Sequence, residues 1–214
     1  MIYVFGGIKG GSGKSTICTN IAVMRSKAGK DVLLVDADSV DNQNATDFST
    51  IRQEQLGERF YTSIQLAGKA VREDVLKLKG KFDDIFIDVG GHDSLSQRAA
   101  LSIADMLLVP VFPSSFDAWT FENVSNMVEE AQAVNPNLHA CTFLSRADVS
   151  GSANNETAEV LKEYESFSYL DAPIKNRKSF RTSSGNGLSI VEFTPKDQKA
   201  IAEIVALYDL IFDT

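Results

Sequence analysis

The run Lys9-Gly10-Gly11-Ser12-Gly13-Lys14-Ser15-Thr16 lies between an apolar stretch, Ile2-Tyr3-Val4-Phe5, and a segment with helical patterning from about 15 to 28. In that strand–loop–helix setting, glycines let backbone N–H groups turn toward an anion and approach it closely. The N-terminus of the following helix adds partial positive charge. Lys14 is placed to reach the β- and γ-phosphates of a nucleotide, and the Ser15 hydroxyl to ligate Mg²⁺. A glycine-rich turn with a purely structural role gives no reason for Lys14 and Ser15 at the helix start. The octet therefore predicts a nucleotide triphosphate site, with Gly10, Gly11, Ser12, Gly13, Lys14, Ser15 and Thr16 around the phosphates. The general loop G-x-x-x-x-G-K-[ST] carries glycine where this chain has Ile8, and a second lysine, Lys9, precedes the first glycine of the run.

Two further segments end in acids. Val32 to Val35 leads into Asp36-Ala37-Asp38, and a strand period of two puts both carboxylates on one side, able to face Mg²⁺ and an attacking water. Ile85-Phe86-Ile87-Asp88-Val89-Gly90-Gly91 repeats the pattern, with Asp88 as a metal-site candidate and glycines that allow close backbone approach to a γ-phosphate. His92, in the loop that follows, could respond to the γ-phosphate or contact a dimer partner, but a lone loop histidine reads first as a solvated side chain.

The elements that must position these residues alternate along the chain. Ile2–Phe5, Val32–Asp36, Ile85–Val89, Met106–Phe112 and Ala140–Leu144 read as buried strands of a parallel sheet. Helical patterns fall at about 15–28, 68–79, 94–104, 117–134, 153–166 and 196–212, the last with Pro195 at its start. The alternation predicts an α/β fold, a doubly wound and mostly parallel sheet with helices on both faces, and ligands at the carboxyl ends of the strands. Positions 39–65, polar and without clear periodicity, read as a nucleotide-responsive loop or short helix. No repeat or linker divides the chain, so residues 1–214 read as one domain.

With 43% apolar and 23% charged residues, the 214-residue chain has the composition of a globular protein with a sizeable core. No apolar run approaches the roughly 20 residues of a membrane span. The first strand begins at residue 2, so no signal peptide is expected. Cys18 and Cys141 suggest a reduced, cytoplasmic setting and buried packing, not a disulfide framework. Net charge is −8, but residues 172–199 hold six basic and two acidic side chains against 15 and 27 elsewhere. An acidic body with one basic segment is compatible with local nucleic-acid contact.

The octet resembles the deviant Walker A motif, K-G-G-x-G-K-[ST], of the ParA/MinD family of P-loop ATPases. Val109-Pro110-Val111-Phe112-Pro113-Ser114-Ser115-Phe116-Asp117 resembles that family's V-P-x-x-P-S-x-x-D stretch. Leu144-Ser145-Arg146 falls where relatives often read L-N-R near the adenine, and Arg177 through Glu192 resembles the late R-x-x-[FY]-R…G-x-x-[IV]-x-E segment of ParA proteins. The family's D-P-Q-x-N is interrupted by Ser39 and Val40 before Asp41-Asn42-Gln43-Asn44. The absence of a preceding helix-turn-helix region points to the small ParA type.

The resemblance implies ATP and Mg²⁺ as cofactors and a Mg-dependent ATPase. It gives Lys9 a reach across a nucleotide-sandwich homodimer and Lys14 the same subunit's phosphates. Asp38 would orient the attacking water, Asp36 and Asp88 would serve the metal with Ser15, and Arg146 would lie by the nucleotide. It further implies ATP-dependent, non-specific DNA binding through Lys175, Arg177, Lys178 and Arg181, location on the nucleoid when ATP-bound, and release when a ParB-like or other cargo adaptor stimulates hydrolysis. Partition of a plasmid or chromosome and the positioning of a protein complex are all open. One rival is a MinD-like, membrane-cycling ATPase, but the last helix carries Glu203, Asp209 and Asp213 and no basic residue after Lys199, which disfavours anionic lipid and stable membrane association. A metabolic enzyme with the same loop, such as an amide-forming synthase, and a tyrosine-kinase relative are further alternatives. The five tyrosines are dispersed, which counts against the last.

Overall fold

Alternate residues of the apolar strands point to opposite sides, and both sides are covered. The computed structural model describes residues 1–39, 42–113, 118–149 and 152–212. In β1 (Ile2–Phe5), Ile2 and Val4 enter one core layer while Tyr3 and Phe5 enter the other. The first layer is roofed by α3 (Ala70–Leu78), α4 (Leu95–Leu101), α5 (Ala118–Val134) and α6 (Ser152–Lys162). The second is roofed by α1 (Lys14–Lys27), α2 (Asn44–Leu56), α7 (Lys178–Gly185) and α8 (Gln198–Phe212). This is the doubly wound arrangement expected from the sequence.

The remaining strands are β2 (Val32–Asp36), β3 (Thr62–Gln65), β4 (Asp84–Asp88), β5 (Met106–Val111), β6 (His139–Ala147), β7 (Ser168–Tyr169) and β8 (Ile174–Lys175). Seven lie in the order β3-β2-β4-β1-β5-β6-β7, and β8 pairs with β6 off that path; all these pairings are parallel. The chain leaves β1 toward β2 on one side and later returns to β1's other edge as β5, so a switch point opens above β1. Register then aligns the chemistry. Phe5, the last residue before the glycine loop, pairs with Asp88, and Asp36 also pairs with Asp88.

β1 and β2 have the bounds their sequence predicts, and β4 and β5 differ from expectation by a residue at one or both ends. Within the region 39–65, read from the sequence as a loop or short helix, the structure has α2, a helix of 13 residues, and the unexpected edge strand β3. α7 and the two-residue strands β7 and β8 also lie outside the predicted elements. In α8 the residues buried against the sheet are Ala200, Ile204, Leu207 and Ile211, so its apolar stripe is part of the core. The helix starts at Gln198, after Asp197, whose Oδ1 accepts the Ala200 N–H at 3.1 Å as an N-cap. Among the described residues no helix is long and apolar enough to cross a membrane. Ser114 to Asp117 of the proline-containing stretch, and Val40, Asp41 and Asp213, lie outside the described residues.

Candidate nucleotide and metal site

α1 begins without a side-chain cap. Its N-cap is Gly13, held left-handed at φ 94°, which has no side chain to cap the first-turn N–H groups that a phosphate would need. A Cβ at Gly13 would come within 2.8 Å of Ser145 Oγ, so glycine is required there by space as well as by φ. Lys14 is only 6% exposed and its Nζ donates to Lys9 O at 3.0 Å. Burial lowers its pKa, opposed by the nearby Asp88 and Asp38 carboxylates. Lys9 itself is exposed at the rim of the loop. The two lysines of the octet therefore occupy different environments, one folded back into its own loop and one exposed.

The acids divide in the same way. Asp36 is fully buried and both its oxygens are engaged: Oδ1 accepts Asp38 N–H at 3.2 Å and Oδ2 accepts Thr46 N–H at 2.8 Å. It fastens the loop after β2, and the start of α2, to the strand end. Asp88 is 1% exposed, yet among the described residues neither of its oxygens has a hydrogen-bond partner of ordinary geometry. Burial pushes its pKa up to about 7; the Ser15 hydroxyl beside it and Lys14 oppose the rise, and Asp36 and Asp38 add to it. An orphaned buried carboxylate next to Ser15 has the donor chemistry of a Mg²⁺ site that binds through a hydroxyl and metal-bound water. The residues present fit the metal.

Asp38 is half-buried, and its Oδ1 accepts the Ser39 N–H at 2.7 Å. It lies against the glycine pair after β4, since a Cβ at Gly90 would be 2.5 Å from Asp38 Oδ1. A Cβ at Gly91 would be 2.6 Å from Gly10 N and Cα. The loops after β1, β2 and β4 thus meet with no room for a side chain. His92 follows this contact and is exposed. Cys18 and Cys141 are both buried; Cys18 has its pKa raised by burial and then by Asp88 and Asp36.

Arg146 has φ 53° at an irregularity in the β6–β8 pairing. Its Nη1 donates to Gly11 O at 2.6 Å and its guanidinium lies 4.9 Å over the Phe112 ring. Arg146 is thereby tied to the phosphate loop. Ser145, in the place of the asparagine of relatives, is buried behind Gly13.

A cleft of about 770 Å³ runs from the glycine loop between α2 and residues 174–185, with space for a nucleotide. Its far wall includes Lys175, Arg177, Lys178 and Arg181, so the basic segment shares the cleft with the phosphate loop. These four cations are not equivalent. Arg177 is held by Glu203 at 2.6 Å, with its pKa raised by that hydrogen bond. Lys175 Nζ reaches Val149 O at 3.4 Å. Lys178 and Arg181 are exposed on α7. The α2 wall, with Phe48 and Ile51, was not singled out by the sequence patterning, although the Asn-rich stretch before it was the visible signal of a site loop.

The family model for the CobQ/CobB/MinD/ParA nucleotide-binding domain matches residues 3–190. The chain belongs to that family. It is 26% identical over 202 residues to the maintenance of carboxysome distribution protein A of Halothiobacillus neapolitanus, an alignment covering 92% of this chain and 89% of that one. Its fold is also that of the Pyrococcus horikoshii septum site-determining protein MinD complexed with Mg-ADP, with a TM-score of 0.74, 19% identity and coverage of 99% and 95% of the two chains. A plasmid partition protein from Borrelia burgdorferi superposes with a TM-score of 0.66 at 20% identity, covering 99% of this chain and 97% of that one.

Proposed function

We propose that the protein is a Mg-dependent ATPase that works as a positioning switch: ATP closes a homodimer, the dimer binds DNA without sequence preference, and hydrolysis stimulated by a cargo adaptor releases it. The observation that carries this reading is the division of labour between the two lysines. Lys14 already sits inside its own loop, whereas Lys9, exposed at the rim, has the position from which a side chain can reach a phosphate held by a facing subunit.

Bound Mg²⁺ would neutralise charge on the β- and γ-phosphates and hold water in place. Ser15 and Asp88 are the side chains that would hold it, with Asp36 supporting them. Asp38, against Gly90, is positioned to orient a water for in-line attack, while Lys14 and the loop N–H groups stabilise the charge that develops on the phosphoryl oxygens. Gly90 and Gly91 keep side chains out of the space between Asp38 and the glycine loop.

Lys178 and Arg181 are the cations best placed to meet DNA phosphates, with Lys175 beside them; Arg177 contributes by holding the segment to α8 through Glu203. Two copies in a dimer double the contacts and make DNA binding follow the nucleotide state, which would place the ATP form on the nucleoid. The burial of the α8 stripe supports this reading over membrane cycling. A protein-compartment cargo is the second reading, favoured by the similarity to a carboxysome distribution protein; it shares the same ATPase cycle and a different adaptor. The test is co-sedimentation with DNA at low salt in ATP and in ADP. Binding in ATP alone is the expected result, and equal or absent binding in both refutes the DNA switch.

A further inference from the structure

Buried polar atoms almost always find partners, so the exceptions carry information. Among the described residues the buried side-chain atoms without one are Thr46 Oγ1, Arg59 Nε, Ser184 Oγ and both oxygens of Asp88. Thr46 belongs with Asp88 by position. Its own N–H donates to Asp36 Oδ2 at 2.8 Å, and Asp36 is the register partner of Asp88. Asp36 thus links the residues that carry three of the orphaned oxygens: its carboxylate holds the Thr46 backbone, and its strand position pairs with that of Asp88.

A threonine in a helix ordinarily gives its hydroxyl to the carbonyl four residues back. Nearby hydroxyls do so: Ser49 Oγ donates to Ala45 O at 2.8 Å and Thr50 Oγ1 to Thr46 O at 3.0 Å. For Thr46 that carbonyl is Asn42 O, which already accepts Asn44 N–H at 2.8 Å and Asn44 Nδ2 at 3.2 Å. The local geometry has closed the usual outlet and left the hydroxyl without a partner, on a residue whose backbone the Asp36 carboxylate holds.

We propose that Thr46 is a positioning residue of the metal site: its hydroxyl hydrogen-bonds a metal-bound water together with Asp88 and so pins the first turn of α2 to the loaded nucleotide. The proposal rests on the nucleotide and Mg²⁺ reading above. It also gives α2 a reason to respond to the bound state, since Asp36 already ties the backbone of the same residue to the strand.

The test uses Mn²⁺ as the spectroscopic probe, titrated with ADP by electron paramagnetic resonance, on the wild-type protein and on Thr46→Val, Thr46→Ser and Asp88→Asn. Loss of an outer-shell partner weakens metal affinity by about 10- to 100-fold, and the lower part of that range is expected for Thr46→Val. Thr46→Ser, which keeps the hydroxyl, should bind as wild type does. Without ligand, Thr46→Val should melt at or above the wild-type temperature, because removing an unpaired buried hydroxyl relieves a desolvation penalty. Wild-type Mn²⁺ affinity in Thr46→Val overturns the proposal, as does a fall in its ligand-free melting temperature. Failure of the wild-type protein to bind Mn²⁺ with ADP would instead overturn the nucleotide-site reading.

Discussion

Gly91→Ala is the sharpest probe of how the site is assembled. The backbone at Gly91 is not left-handed, so the substitution acts by collision alone. The new Cβ would be 2.6 Å from Gly10 N and Cα and 2.9 Å from Lys9 C, and all three are backbone atoms that no rotamer change can move. Ordinary contact begins near 3.4 Å, so the loop after β4 and the glycine loop must separate by about 0.8 Å. Overpacking of this kind costs about 1–3 kcal/mol, which for a chain of this size lowers Tm by roughly 2–12 °C. A shift approaching 1 Å between groups that hold a reacting phosphoryl costs on the order of 10²-fold in rate. Gly10→Ala is the matched control for stability, because a Cβ there meets nothing within 4 Å. Scanning calorimetry without ligand and phosphate release with ATP and Mg²⁺ give both quantities. A Gly91→Ala protein with wild-type Tm and wild-type turnover would refute the convergence of the loops.

Three other outcomes are expected. Asp38→Ala should retain ATP binding by filter assay and lose turnover, and a loss of nucleotide affinity instead would assign Asp38 a structural role. Arg52, 1% exposed, pairs with Glu192 at 2.7 and 2.9 Å and donates to Gly187 O and Arg59 O; Arg52→Ala should cost about 3–5 kcal/mol in urea unfolding, while the double change Arg52→Met with Glu192→Met recovers much of it. Burial alone would raise Glu192, but the hydrogen bond and charge of Arg52, with Ser189 N–H and Lys27, pull it below the ordinary carboxylate range. Its folded-state pKa is depressed, so its stabilisation is complete above the unfolded value and is lost as pH falls through the folded one; urea midpoints should fall on acidification in wild type and less steeply in the double variant.

The parts of the fold that were legible share one property: their buried partners are met within the apolar pattern itself. β1, β2 and β4 are buried at every position, and runs so apolar declare themselves. α2 showed only as a loop or short helix without clear bounds, because two of its four buried residues are Ser49 and Arg52, and Arg52 is stabilised by Glu192, 140 residues away. β3 is an edge strand with no buried position, and α7 buries only Phe180 and Ser183. At the site, the phosphate loop was readable because its chemistry needs contiguous residues. The packing of Gly91 on Gly10, the hold of Arg146 on Gly11 and the attachment of Asp36 to Thr46 join segments that only folding brings together.

In the proposed function, two subunits share one phosphate site through Lys9. Multi-angle light scattering of wild-type protein and Lys9→Ala, each with ATP and Mg²⁺ and with ADP, tests it most directly, with Asp38→Ala in the background to slow turnover. Wild type should be a dimer in ATP and a monomer in ADP, and Lys9→Ala a monomer in both. An ATP-dependent dimer that persists in Lys9→Ala would contradict it.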